Sequence, residues 1–142
     1  MKKKDAAIGE AARISGVKAP TIRYYEQIGL LSPPPRTDAN RRLYSAQDLR
    51  RLSFIRHARE LGFDVDAIRT LLSLQDAPDQ SCAAADEIAR ARLADVEQRI
   101  ARLNALKTEL GQMIACDGQG GARDCRVIEA LADESHDHGR LA

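Results

Sequence analysis

The sequence predicts a fold that is mainly all-α, and three observations carry that prediction. With two Phe, three Tyr and no Trp in 142 residues, a core must be built from Leu, Ile, Val and Ala, which suits helices packing on helices. Apolar residues recur at three- and four-residue spacing over most of the chain. A stretch from about residue 81 to residue 115 contains no Pro, and Gly only at 111.

Ile8, Ala11 and Ala12 share one face of a first helix that Ser15-Gly16-Val17 breaks. A second short helix is expected from Thr21 to Gln27, with Pro20 near its first turn, where the missing N–H is harmless. Two short helices around a Gly-containing turn form a helix-turn-helix unit. Gly29 can cap the second helix in the left-handed conformation. Pro33-Pro34-Pro35 then force an extended path, and Arg41-Arg42-Leu43-Tyr44 read as the return strand of a small hairpin wing.

Ser45-Ala46-Gln47-Asp48 has the form of a capping box with Asp in place of Glu. It precedes Leu49, Leu52, Phe54 and Ile55 at helical spacing, and Gly62 ends that helix. Asp64 caps a fourth, in which Val65, Ile68, Leu71 and Leu72 form a stripe. These elements make residues 1–74 a winged helix-turn-helix head with a supporting helix pair.

The long helix, residues 81–115, is about 50 Å if continuous. Leu93, Val96, Ile100, Leu103, Leu110 and Ile114 form a stripe on it that Lys107 interrupts and Leu106 and Met113 widen. A lone helix cannot bury such a stripe. It either dimerises or folds back on the head, and dimerisation is the economical answer because the head already has its own helix pair. Residues 116–131 form a Gly-rich loop and a short helix, and residues 132–142 a polar, disordered tail.

Charge separates the two ends. Residues 1–62 hold 13 Lys and Arg against 6 Asp and Glu, a balance of +7, whereas residues 63–142 hold 9 against 15, a balance of −6. A basic head on an acidic body fits a chain whose one end meets a phosphate backbone. The basic start Lys2-Lys3-Lys4 is not followed by an apolar run, and no stretch approaches the roughly 18–20 apolar residues of a membrane span, so a soluble cytoplasmic protein with no membrane partner is expected. Three cysteines, an odd number, argue for free thiols used in metal or redox chemistry. An enzyme is excluded for want of a Ser/His/Asp set, a phosphate loop or opposed carboxylates.

The double-stranded DNA contacts are expected from Lys18, Thr21, Arg23, Tyr24 and Tyr25 on and before the second helix, from Arg36, Arg41, Arg42 and Tyr44 in the wing, and from Arg56 on the third. Arg can bind phosphate or guanine and Tyr hydroxyls can bind phosphate. Ile22 and one of the two tyrosines of the second helix are expected to turn inward instead. Arg50, Arg51 and Arg59 add positive charge nearby.

These motifs, Ile8-Gly9-Glu10-Ala11-Ala12, Thr21-Ile22-Arg23-Tyr24-Tyr25-Glu26, Gly29-Leu30-Leu31, Pro35-Arg36, Arg42-Leu43-Tyr44, Phe54-Ile55 and Leu61-Gly62-Phe63, resemble the MerR family of regulators in order over about residues 7–131. The resemblance implies a homodimer held by an antiparallel coiled coil, seated on a pseudo-palindrome in a promoter with too long a spacer. It further implies that metal binding lets the protein untwist and bend that DNA, so that RNA polymerase meets both promoter elements. Two departures bear on operator preference: Arg41 stands where the family often has an aromatic residue, and Lys18-Ala19-Pro20 replaces a Ser/Thr cap.

Cys116 and Cys125 bracket a loop with three glycines that can curl until both sulfurs face one ion. Under the implied antiparallel pairing, the start of one long helix meets the end of the other, so Cys82 of one subunit joins Cys116 and Cys125 of its partner. Three thiolates suit divalent soft ions such as Hg, Pb or Cd, and Zn with a fourth ligand from Asp117, Asp124, water or the tail residues His136 and His138. In the resembled family, Cys at the position of Cys82 marks sensors of divalent ions, and Ser there marks copper or silver sensors. Val17 stands where several lead and cadmium sensors carry a further Cys. Two readings stay open beside this one: a Cu(I) or Ag(I) sensor using Cys116 and Cys125 alone, and a thiol-based redox sensor that joins them by oxidation.

Overall fold

The computed structural model describes residues 5–114 and 120–135. The chain forms two compact units, Met1–Ala89 and Arg90–Ala142. The first contains helices α1 (Ile8–Ser15), α2 (Ala19–Gln27), α3 (Ala46–Glu60) and α4 (Val65–Gln75), together with the start of α5 (Ala83–Ile114). The second contains the remainder of α5, a 3₁₀ turn at Ala122–Asp124 and α6 (Arg126–Ala132).

Local chemistry accounts for each boundary in the head. Gly16 adopts φ +75° and returns its N–H to the Ala12 carbonyl, ending α1. Helix α2 begins two residues before Thr21, because Lys18 is an extended N-cap and Pro20 fits the first turn. Beyond it Gly29 lies at φ +79°, and the N–H groups of Leu30 and Leu31 both reach the Tyr25 carbonyl. In the wing, the expected return strand is reduced to single bridges, Arg36 to Arg42 and Ala6 to Tyr44. Three consecutive prolines have no N–H to donate to a ladder, so Pro35 contributes only its carbonyl, to the N–H of Leu43 at 2.9 Å. Asn40 takes φ +61° at the tip, a conformation Asn tolerates better than most residues.

Helix α3 opens with the expected capping box: the Asp48 N–H donates to Ser45 Oγ at 3.1 Å, and the Ser45 N–H donates to Asp48 Oδ2 at 2.9 Å. Replacing Ser45 with Ala is expected to cost about 1 kcal/mol of stability, read as a lower denaturant midpoint at unchanged slope. Asp64 caps α4 through the Ala67 N–H at 2.8 Å. Arg51 ties the layers together, donating from Nε to the Leu30 carbonyl at 2.8 Å and from Nη1 to Asp76 at 3.0 Å. One core underlies these four helices, with Ile22, Leu30, Leu31, Leu52, Ile55, Ile68 and Leu72 essentially out of solvent.

In the second unit most of the large apolar residues of α5 remain in water, while Val96 and Leu106 are half-buried. Leu93, Ile100, Leu103, Leu110 and Ile114 are 46–68% exposed in the single chain, and Met113 is buried. The predicted helix end at Ala115, Cys116, and the tail histidines His136 and His138 lie outside the described residues. Among the described residues, no helix is long and apolar enough to cross a membrane.

Candidate nucleic-acid interface and metal-binding thiols

Helix α2 divides its residues between two faces. Ile22 and Tyr25, three positions apart, turn into the core, leaving Tyr25 7% exposed. Lys18, Arg23 and Tyr24 lie on the open side, with Tyr24 49% exposed, and Thr21 is half-buried at its edge. The inward tyrosine expected from the sequence is thus Tyr25. Its ring lies 6.1 Å, centroid to centroid, from that of the outward Tyr24, in a tilted arrangement.

Two clefts border this helix. One of about 440 Å³ is lined by Ile8, Gly9, Arg23, Asn40, Arg41 and Arg42 at the wing side. The other, of about 380 Å³, is lined by Gly16, Lys18, Thr21, Tyr25, Arg56 and Arg59 where α2 begins. Cations predominate on both walls, Glu60 of the second cleft being paired with Arg56, which suits the phosphates on either side of a groove. In the wing, Arg36 and Arg41 are exposed, and Arg36 reaches the Asn40 carbonyl at 3.2 Å.

Three of the side chains expected at DNA are engaged within the fold, Tyr44 and Tyr25 by burial and Arg56 by hydrogen bonds. Tyr44 has no exposed surface: it follows the wing inward because its backbone pairs with Ala6, at 2.7 and 2.8 Å, and its ring joins the core. Tyr25 is buried for the reason given above. Arg56 serves first as a tether, donating from Nε to the Ser15 carbonyl at 2.9 Å and from Nη1 to Glu60 at 2.7 Å. The side chain is still 36% exposed along the second cleft.

The sequence reading passed over Glu26. Its side chain, 9% exposed, accepts from Arg42 Nε at 3.0 Å and from the Tyr44 hydroxyl at 2.5 Å. Burial first, then the hydrogen bond and charge of Glu26, push the Tyr44 hydroxyl well above the usual tyrosine range, so it remains a neutral donor. The single carboxylate of α2, set near the cations of that helix and the wing, was the available signal.

The thiols fall at helix boundaries. Cys82 is exposed one residue before α5, where its carbonyl accepts from the Asp86 N–H at 3.0 Å. Cys125 is half-buried at the N-cap of α6, and its carbonyl accepts from the Glu129 N–H at 3.0 Å. Both are free thiols, the donor type a soft ion prefers. Among the described residues no three His, Cys, Asp or Glu side chains converge on one point, and Cys116 lies outside those residues.

Comparison with known proteins matches the chain twice to family models. One described as MerR HTH family regulatory protein covers residues 7–75, and one described as MerR, DNA binding, covers residues 49–113. The HTH-type transcriptional regulator HmrR of Sinorhizobium medicae is 43% identical over 128 residues, 88% of this chain and 85% of that protein. Heavy metal-dependent transcription regulator 2 of Rhizobium meliloti is 41% identical over 131 residues, 90% of this chain and 87% of its own length. Among solved structures, the transcription regulator PbrR691 of Ralstonia metallidurans in complex with lead(II) superposes with a TM-score of 0.76 at 35% identity, over 89% of this chain and 99% of that one.

Proposed function

The chain belongs to the MerR family of DNA-binding transcriptional regulators, and from that premise we propose that it responds to a divalent soft metal ion held by thiolates shared across a homodimer, and so activates a metal efflux or detoxification operon. The family is one of regulators and not of enzymes. The observation that carries the reading is an exposed thiol, Cys82, at the mouth of a long helix whose apolar stripe a single chain leaves in water. Antiparallel pairing of two such helices covers the stripe and brings Cys82 of one protomer toward the C-terminal end of its partner's α5, where Cys116 and Cys125 follow. The likeness to a heavy metal-dependent regulator and to a lead(II)-bound one supports a metal as the effector.

Cys82, Cys116 and Cys125 would hold the ion, which when bound favours one arrangement of the dimer over another. Two heads on one promoter then translate that preference into DNA shape. Bending a site of 20–30 base pairs by tens of degrees costs on the order of 1–6 kcal/mol, within what a metal–thiolate site supplies. Deformed DNA presents both promoter elements to RNA polymerase, with no catalysis by the regulator.

In vitro transcription from the promoter beside its own gene, titrated with Hg(II), Pb(II), Cd(II), Zn(II), Cu(I) and Ag(I) under reducing conditions, tests the reading. Activation by one or more divalent ions is expected. Activation by Cu(I) or Ag(I) alone would favour the two-thiolate reading, and a response to peroxide without metal would favour a redox sensor.

A further inference from the structure

We infer that Glu26 is a positioning residue for operator recognition, a carboxylate latch that fixes the wing relative to the DNA-facing side of α2. The inference rests on the DNA-binding reading above. A carboxylate on a surface meant for phosphates weakens binding to any DNA, and this one is also nearly buried, at 9% side-chain exposure. Its retention there calls for a use that outweighs both effects.

The geometry supplies one. Glu26 stands near the end of α2, three residues after Arg23, and both of its oxygens are engaged by wing residues: Oε2 by Arg42 Nε at 3.0 Å, and Oε1 by the Tyr44 hydroxyl. The Tyr44 ring anchors the end of the wing in the core, but the rest of the wing has few other ties. Its backbone pairing is limited to two single bridges, Arg36 to Arg42 and Ala6 to Tyr44, beside the turn bonds of residues 37–41. Arg42, caught by Glu26, lines the same cleft as Arg23 and Arg41. Glu26 thereby sets where the wing cations stand relative to Arg23 and Tyr24. A loosened wing can still find phosphates, since they occur on every duplex. It cannot find them in register with the bases that α2 reads.

The latch therefore trades general affinity for discrimination, and the two effects move apart in a Glu26→Gln variant. Gln keeps an oxygen to accept from Tyr44, so the fold survives, but it gives up the charge that captures Arg42. Binding of full-length protein is measured to a duplex that the wild type selects from a random-sequence pool and to an unrelated duplex of equal length, alongside the thermal midpoint and hydrogen exchange of the wing amides. The ratio of the two affinities is expected to fall about tenfold, from the range of about 10³ to 10⁷ usual for specific regulators. Affinity for the unrelated duplex should hold or rise, and exchange at residues 41–44 should quicken. Glu26→Gln on an Arg42→Gln background should add little further loss of discrimination, since the pair is already broken. An unchanged ratio, or equal losses on both duplexes, would overturn the latch, because a merely structural defect lowers both together. A wild type that selects no preferred sequence would overturn the regulator reading and this inference with it.

Discussion

Replacing Leu103 with Glu is expected to turn the proposed dimer into a folded monomer and to abolish tight operator binding. Leu103 is 56% exposed in the single chain and lies mid-way along the stripe of α5, so Glu there leaves the core of the head untouched. A dimer loses two leucines at once. At about 2 kcal/mol of burial each, the loss is about 4 kcal/mol, or about a thousandfold in dissociation constant, before the further penalty of desolvating two carboxylates. Sedimentation velocity gives the mass, and circular dichroism the helix content. Operator affinity should collapse toward that of a single head, since two half-sites are no longer read together. A variant that stays dimeric would remove α5 as the seam. One that unfolds as a monomer would instead indicate that the stripe folds back on its own chain.

The second large effect is expected from Cys82→Ser. The side chain is exposed and Ser differs by one atom, so folding and operator binding should match the wild type. Metal affinity should fall at least about 100-fold, because one of three thiolate ligands is replaced by a poor donor for a soft ion. Metal-induced transcription should vanish with it. Competition against a chelator under reducing conditions reads the affinity, and thiolate-to-metal charge-transfer absorbance reads the ligand set. Unaltered affinity would return the site to Cys116 and Cys125 alone and favour a monovalent ion.

Much of the head was legible in the sequence because its boundaries are set by local chemistry. Gly16, Gly29 and Gly62 take positive φ where turns were expected, and Ser45 with Asp48 forms the capping box that its spacing announced. Burial was harder to read where side chain and backbone compete. Tyr44 follows two wing arginines and carries a hydroxyl, both marks of a DNA contact, yet its backbone pairing with Ala6 directs the ring into the core. Arg56 looked like a free cation until the Ser15 carbonyl, 41 residues away in sequence, proved to be its partner. Glu26 escaped attention for the same reason: its partners Arg42 and Tyr44 lie 16 and 18 residues on, a tertiary relation with no periodic signature. The apolar stripe of α5 was readable from its spacing, and its exposure in the single chain is what the proposed dimer would cover. Which thiols meet across it is set by the pairing of two chains, which one sequence does not encode locally.

The central claim, that the sensing thiolates come from two protomers, is tested most directly by metal stoichiometry in a mixed dimer. One protomer carries Cys82→Ser, its partner carries Cys125→Ser, and the two are separated from homodimers by different affinity tags. Sharing in trans leaves one complete set, Cys82 of the Cys125→Ser protomer with Cys116 and Cys125 of the other, so the mixed dimer should bind one Pb(II) or Hg(II) tightly while each homodimeric variant binds none. A mixed dimer as weak as both homodimers would contradict the claim, since that result requires each site to be built within a single chain.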